Sequence, residues 1–247
     1  MKIFFASDIH LGAPTIADHR AHERRFVQWL DAVGREADEI VLLGDVFDYW
    51  YEYRTVVPRG FTRFLGKLSE LTDRGVKVHF FTGNHDVWAF DYLATECGVE
   101  LHFGPQERTI GGKTFFLAHG DGLGSYDRPY NLMKSIFTSP VAQWFYSKLH
   151  PDIGGWIATH WSGSSRRRNN RSRRRFFMGE EREIPIRFAR DVLADRPIDY
   201  FVVGHRHVAV DYRLTDTSRI IYLGEWIEQC TYAVFDGTDV SLLTYKD

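Results

Sequence analysis

Three apolar runs, residues 2–6 (KIFFA), 39–43 (EIVLL) and 76–81 (VKVHFF), end alike: each delivers the chain into a polar cluster. The clusters are Asp8-X-His10, Gly44-Asp45-X-X-Asp48 and Gly83-Asn84-His85-Asp86. Two more follow, His119-Gly120-Asp121 after 113–118 and Gly204-His205-X-His207 after 200–203. A short apolar run bounded in this way reads as a buried strand. Between the first three runs the spacing changes to that of helices. Phe26, Val27, Leu30 and Val33 share one face in 20–34, as do Phe61, Phe64, Leu65, Leu68 and Leu71 in 61–71. Strand, polar loop, helix, strand is the order of a layered α/β core. Such sheets carry their sites at the carboxyl ends of the strands, where all five clusters fall.

Further along, 106–110 and 113–118 flank Gly111-Gly112, a hairpin signal. A long aromatic stretch from Pro129 to about Arg175 reads as mostly helical, and 183–193 as a further helix. Short strands are expected near 208–213, 220–223, 232–235 and 240–244, and together they suggest a second sheet. No repeat or low-complexity linker appears. The 247 residues, 44% of them apolar, suit one domain, 1–247, with a helical, basic insertion at about 127–178. A net charge of -2 gives no bulk attraction to nucleic acid. Cys97 and Cys230 form no Cys-X-X-Cys pair, which fits a reducing compartment. The start lacks a basic-then-apolar leader, and no window is long and apolar enough to span a bilayer.

A hydrophobic core needs none of the five clusters. In extended backbone, residues i and i+2 point the same way, so Asp8 with His10, or His205 with His207, can reach one ion. A single such pair is more often a hydrogen-bonded surface histidine. Five in chain order, each just past a strand, are hard to obtain by chance. Carboxylate, amide and imidazole suit Mn, Fe, Zn or Mg, and no cysteine lies near enough in sequence for a thiolate site. A bound divalent ion can lower the pKa of a coordinated water and make it a nucleophile. No serine nucleophile is needed, and no nucleophile elbow surrounds Ser7.

From Asp8 to His207 these motifs resemble those of the calcineurin-like metallophosphoesterases. The resemblance implies an α/β fold, a four-layered α/β/β/α sandwich with a helical cap, and a two-metal centre. It implies that Asp8, His10 and His207 hold one ion, that Asn84, His119 and His205 hold the other, and that Asp45 bridges them. His85 would stand beside the transferred phosphoryl group. Asp86 would orient His85 or cap the loop. Asp48 and Asp121 would stand behind the ligands or stabilise loops.

The substrate must be read from the insertion. Met133, Ile136, Phe137, Val141, Trp144, Phe145 and Leu149 give a broad apolar surface. Part of it packs on the core; the rest is what an acyl-chain pocket needs. Seven arginines follow within residues 166–175. Charge runs are usually solvated faces, but a dense one-signed block beside aromatics suits an anionic membrane surface. RNA would also attract it, though no RNA-binding module accompanies it.

Gly-Asp-Val-Phe-Asp-Tyr-Trp at 44–50, His-Gly-Asp-Gly-Leu-Gly at 119–124 and the basic insertion resemble the UDP-2,3-diacylglucosamine hydrolases of lipid A synthesis. That resemblance implies manganese-dependent attack at the α-phosphorus, releasing UMP and 2,3-diacylglucosamine 1-phosphate. It also implies a Gram-negative source and a peripheral place on the cytoplasmic face of the inner membrane. Expected substrate contacts are Asn84, Asp127, Arg128, Tyr130, Arg166 and Arg173, with anionic headgroups against Arg166–Arg175. No nucleic acid and no obligate protein partner is expected. The chain departs from that family's usual Gly-Asn-Arg-Asp by carrying His85, and has Asp48 where Glu is common. A pyrophosphatase or phosphodiesterase of another nucleotide or lipid-linked substrate, or a non-catalytic interaction protein, are the competing readings.

Overall fold

The computed structural model describes residues 1–126, 128–158 and 176–246. A six-stranded sheet has the order β11-β10-β1-β2-β3-β4 and a five-stranded sheet the order β5-β6-β7-β9-β8. In the first, β1 (Ile3–Ala6), β2 (Glu39–Leu43), β3 (Lys77–Phe81) and β4 (Glu100–His102) run parallel. β10 (Thr231–Phe235) and β11 (Val240–Thr244) close its far edge antiparallel. In the second, β6 (Lys113–Ala118), β7 (Tyr200–Val203) and β9 (Arg219–Leu223) are parallel, flanked by antiparallel β5 (Gln106–Ile110) and β8 (Ala209–Arg213). The tail strands therefore do not make one sheet, contrary to the sequence expectation. β8 and β9 join the second sheet, while β10 and β11 return to the first. Local pattern encodes a strand but not its pairing partner.

Alternation of side chains sorts the core into three layers. Phe5, Val41, Leu43 and Phe81 face Phe115, Leu117, Val202 and Ile221 between the sheets. Phe4, Leu42, Val78 and Phe80 point the other way, under α1 (His19–Val33), α2 (Thr62–Asp73) and α3 (Tyr92–Cys97). Phe116, Phe201 and Tyr222 pack under the helix Ile184–Asp195. The result is the α/β/β/α sandwich. Strands buried on both faces must read as continuous apolar runs, which is why the sequence shows them so plainly. α3 and β4 went unread, being only 6 and 3 residues long.

The stretch after β6 is helical where it is described: α4 (Arg128–Phe137), α5 (Pro140–Tyr146) and α6 (151–158), with Ile184–Asp195 becoming α7. These helices are anchored to the loops that leave β2 and β3. Tyr51 donates to the Gln143 carbonyl at 3.0 Å, and Trp88 Nε1 to the Phe137 carbonyl at 2.8 Å. Tyr49 and Tyr146 hydroxyls meet at 3.1 Å.

Candidate metal centre

Register brings the strand ends together. Ala6 pairs with Leu42, Leu43 with Phe81, and Ala118 with Val203, so all five clusters leave the sandwich at one end. Backbone bonds then lace the loops: Asp8 N–H to Gly44 O at 3.1 Å, His10 N–H to Asp45 O at 2.9 Å, and Gly204 N–H to His119 O at 2.8 Å. Glycines permit the close approach. A Cβ on Gly204 would lie 2.5 Å from both Asp8 Oδ2 and Ser7 Oγ, and one on Gly83 would lie 2.3 Å from Asp45 Oδ1. Seven non-glycine residues among those described have positive φ, and five of them are Asp8, His10, Asp45, His205 and His207. Left-handed backbone costs an L-residue about 1–3 kcal/mol, and such cost collects where side chains must be aimed.

Two donor sets share Asp45. Asp8, His10, Asp45 and His207 bring ligand atoms within 4.8 Å of one another, as do Asp45, His119 and His205. His207 Nε2 is 3.2 Å from Asp8 Oδ1 and 3.2 Å from His10 Nε2. His119 Nε2 is 3.3 Å from Asp45 Oδ2 and 3.3 Å from Asn84 Oδ1. The other ring nitrogens are tied behind: His119 Nδ1 donates to Leu43 O at 2.8 Å, and His10 Nδ1 lies 3.2 Å from Asp48 Oδ1. Such backing fixes the tautomer and turns a lone pair inward, as ligating imidazoles require.

Asp8 supplies the test of fit. Its Oδ2 accepts from Ser7 Oγ at 2.6 Å and from His205 N–H at 2.9 Å. Its Oδ1 is buried with no hydrogen-bond partner and points at the histidines. A buried carboxylate oxygen left without a donor is costly unless a cation meets it. The residues present fit divalent ions held by oxygen and nitrogen.

Charge tells the same story. Burial opposes ionisation of Asp45, but His119, His85 and His10 pull its pKa well below the usual carboxylate range. Burial likewise opposes a charged His119, yet Asp45 and the more distant Asp8 and Asp121 raise it well above the ordinary histidine value. Burial, with His119 beside it, lowers His205 to about 4. The pocket draws positive charge toward Asp45.

Of the two roles expected of Asp86, its hydrogen bonds support the loop role. Its buried carboxylate accepts from the N–H groups of Gly83 at 2.6 Å, Val46 at 2.8 Å, and Asp45 and Phe47 at 3.3 Å. It staples the β2 loop to the β3 loop, while burial and the Asp45 charge raise its carboxyl to about 7. His85 is oriented by the Asp48 carbonyl, 2.8 Å from Nδ1. Tyr130 gives its hydroxyl to Asp121 Oδ2 at 2.5 Å, which Lys134 also meets at 2.7 Å, so it fastens α4 to the His119 loop. Its ring still lies 6.3 Å from that of His205. Arg128 is exposed. Asp127, Arg166, Arg173 and the rest of the arginine block lie outside the described residues.

Sequence reasoning missed the carbonyls of Leu43 and Asp48, for which no side-chain signal exists. It also missed Glu183, buried in α7's N-cap, which holds Arg206 through 2.8 and 3.0 Å bonds between the two histidines of the last cluster.

A family model described as calcineurin-like phosphoesterase matches residues 1–209. The UDP-2,3-diacylglucosamine hydrolase of Porphyromonas gingivalis (strain ATCC BAA-308 / W83) is 44% identical over 100% of this chain and 98% of its own. The protein of the same name from Edwardsiella ictaluri (strain 93-146) is 31% identical over 69% of this chain and 64% of its own. Among solved structures, the phosphoesterase Yfce from E. coli aligns over 99% of this chain and 93% of that chain, with 17% identity and a TM-score of 0.49. With most of its length matched by the family model and all of it by the first relative, the chain belongs to the calcineurin-like phosphoesterase family.

Proposed function

We propose that this metal-dependent phosphoester hydrolase cleaves the pyrophosphate of UDP-2,3-diacylglucosamine at the α-phosphorus, giving UMP and 2,3-diacylglucosamine 1-phosphate. Two divalent ions, manganese by preference, would supply an activated water and positive charge for the phosphate oxygens. Asp8, His10 and His207 are assigned to one ion, Asn84, His119 and His205 to the other, and Asp45 to both. His85 is half-buried, with Nδ1 committed to the Asp48 carbonyl. Its Nε2, 4.0 Å from Asp45 Oδ2, is the atom to meet a phosphoryl oxygen and hand a proton to the departing phosphate. Asp86 acts through the loop it staples, not on substrate.

The observation that carries the acylated substrate is the outward face of the helices docked on the site loops. Leu132, Ile136, Val141, Trp144, Phe145, Ile153 and Trp156 are all more than half exposed. An apolar surface of that extent marks a lipid, ligand or protein contact. The reading makes 127–178 a cap over the centre, with acyl chains along α4 and α5. Arg128, Asp127, Arg166 and Arg173 would serve the sugar and diphosphate, and Arg166–Arg175 would meet anionic headgroups. Among the described residues no helix is long and apolar enough to cross a membrane. Attachment to the cytoplasmic face of the inner membrane would then be peripheral.

The test incubates manganese-loaded protein in mild detergent with UDP-2,3-diacylglucosamine, and in parallel with UDP-N-acetylglucosamine, following UMP by phosphorus NMR. The expected outcome is UMP from the acylated substrate alone, with Asp45→Asn at least about a thousandfold slower and still folded. Equal cleavage of both would replace the reading with a soluble nucleotide pyrophosphatase.

A further inference from the structure

We propose that His79, Glu100 and His102 form a separate site for one transition-metal ion of the zinc class, at the open edge between the two sheets. The catalytic centre does not use these residues. His79 lies two residues inside the end of β3, whereas Asn84 lies three beyond it. His79 pairs in register with Glu100 on β4, and His102 follows Glu100 by two positions. In neighbouring parallel strands that arrangement puts all three side chains on one face. It is the inter-sheet face, at the margin where the apolar filling ends and β4 forms the edge of its sheet.

The three donors converge. His79 Nδ1 is 3.1 Å from His102 Nε2 and 3.2 Å from Glu100 Oε2, and all three ligand atoms lie within 4.8 Å. Ligands at about 2.0–2.1 Å around a tetrahedral ion stand about 3.3 Å apart, so little movement is needed. The backing is of the kind ligating imidazoles have. His79 Nε2 donates to Glu39 Oε2 at 3.1 Å, which leaves Nδ1 with its lone pair toward the other two. Arg108, on β5 of the opposite sheet, holds the same Glu39 oxygen at 2.8 Å. Glu39 and Arg108 offset each other in charge, so Glu100 remains to meet a cation. Burial first, then the Arg108 charge, keeps His79 below its ordinary pKa; burial, then His79, does the same for His102. Neutral imidazoles are the form a metal takes up. Glu100 is 61% exposed at its side chain, so an ion has a path in and a fourth position open to water. Two imidazoles and one carboxylate suit Zn, Co, Ni or Cu better than Mg or Ca.

The experiment is equilibrium dialysis of the full chain against micromolar Zn2+, with elemental analysis of metal per chain. His102→Gln and Glu100→Gln are compared with wild type. Each variant is expected to hold one ion fewer, with an unchanged circular dichroism spectrum and unchanged manganese-dependent turnover of bis(p-nitrophenyl) phosphate. Conversely, Asp8→Asn is expected to retain the ion that these two lose. Equal metal content in wild type and both variants would overturn the site and leave a hydrogen-bonded cluster closing the sheet edge. Should His102→Gln fold poorly, the exposed Glu100→Gln gives the same comparison.

Discussion

At His207 the backbone sits at φ 53, held by a side-chain bond from Gln229 to its carbonyl at 3.0 Å. The imidazole is on the rim, its side chain 34% exposed, and little packing offsets the left-handed conformation. Strain here is explained by what the ring must reach. His207→Gly should therefore separate function from stability. Glycine adopts this φ without penalty but gains freedom in the unfolded chain, and the two effects nearly cancel. We expect the metal-free variant to unfold in urea within about 1 kcal/mol of wild type while losing one catalytic ion and its turnover. A loss of several kcal/mol would mean that His207 is structural. The residue types of the donor sets and their order were legible in the sequence because a divalent site demands Asp, Asn and His; the backbone was not, since Asp8, His10, His205 and His207 converge from left-handed φ rather than from the extended spacing expected. Which of its two expected roles Asp86 takes was not legible. Its partners are amides of Gly83, Asp45, Val46 and Phe47, and amides carry no residue-specific signal.

Elements were legible where burial imposes a period. The strands β1, β2, β3 and β7 and the helical faces of α1 and α2 follow from apolar spacing, and β5 with β6 from the Gly111-Gly112 turn between them; the return of β10 and β11 to the first sheet does not follow, because either sheet edge would accept an antiparallel strand. α1 also carries an unread polar contact. His22 is buried and its Nε2 donates to the Ile9 carbonyl at 2.7 Å, tying the helix to the loop between Asp8 and His10. Burial lowers its pKa below 6.5, so the folded state keeps it neutral. Below pH 6.5 the unfolded chain takes up this proton more readily than the folded one, and stability falls with pH. The contribution is complete above 6.5 and declines as pH drops toward the lowered folded value. His22→Gln keeps an N–H donor but not the titration. The stability gap between wild type and variant should thus narrow between pH 7.5 and 5 in urea melts; a constant gap would contradict the assignment. α5 poses the opposite case. Trp144 and Phe145, 56% and 64% exposed, support nothing in the core. Replacing both with Ser should leave the melting temperature unchanged and raise KM for an acylated substrate about tenfold or more, with hydrolysis of a soluble diester unaffected. An equal loss on both substrates would remove the acyl-chain role from this face.

On the scale of the whole molecule, the centre lies where two sheets with separate hydrogen-bond networks end side by side. Asp8, Asp45 and Asn84 come from loops of the first sheet, and His119, His205 and His207 from loops of the second. Between the sheets the contact is apolar and non-directional. At this end, direct bonds include Asp8 Oδ2 with the His205 N–H at 2.9 Å, and His119 Nδ1 with the Leu43 carbonyl at 2.8 Å. Ions coordinated from both sides would add directional links across the sandwich and relieve the bare Asp8 Oδ1. Metal should therefore act as a stability ligand for the entire fold, not only as a catalytic one. An ion present at a hundred times its dissociation constant adds about 2.7 kcal/mol. In a chain of this size that corresponds to about 5–10 °C in Tm. Chelation should lower Tm by that amount, manganese should restore it, and His207→Gly should halve the response. With ions held by both sheets, the melt should remain one transition followed by far- and near-ultraviolet circular dichroism alike. A Tm indifferent to metal would show that the loops are organised by Asp86 and the backbone lacing alone, with the ions bound to a frame that does not need them.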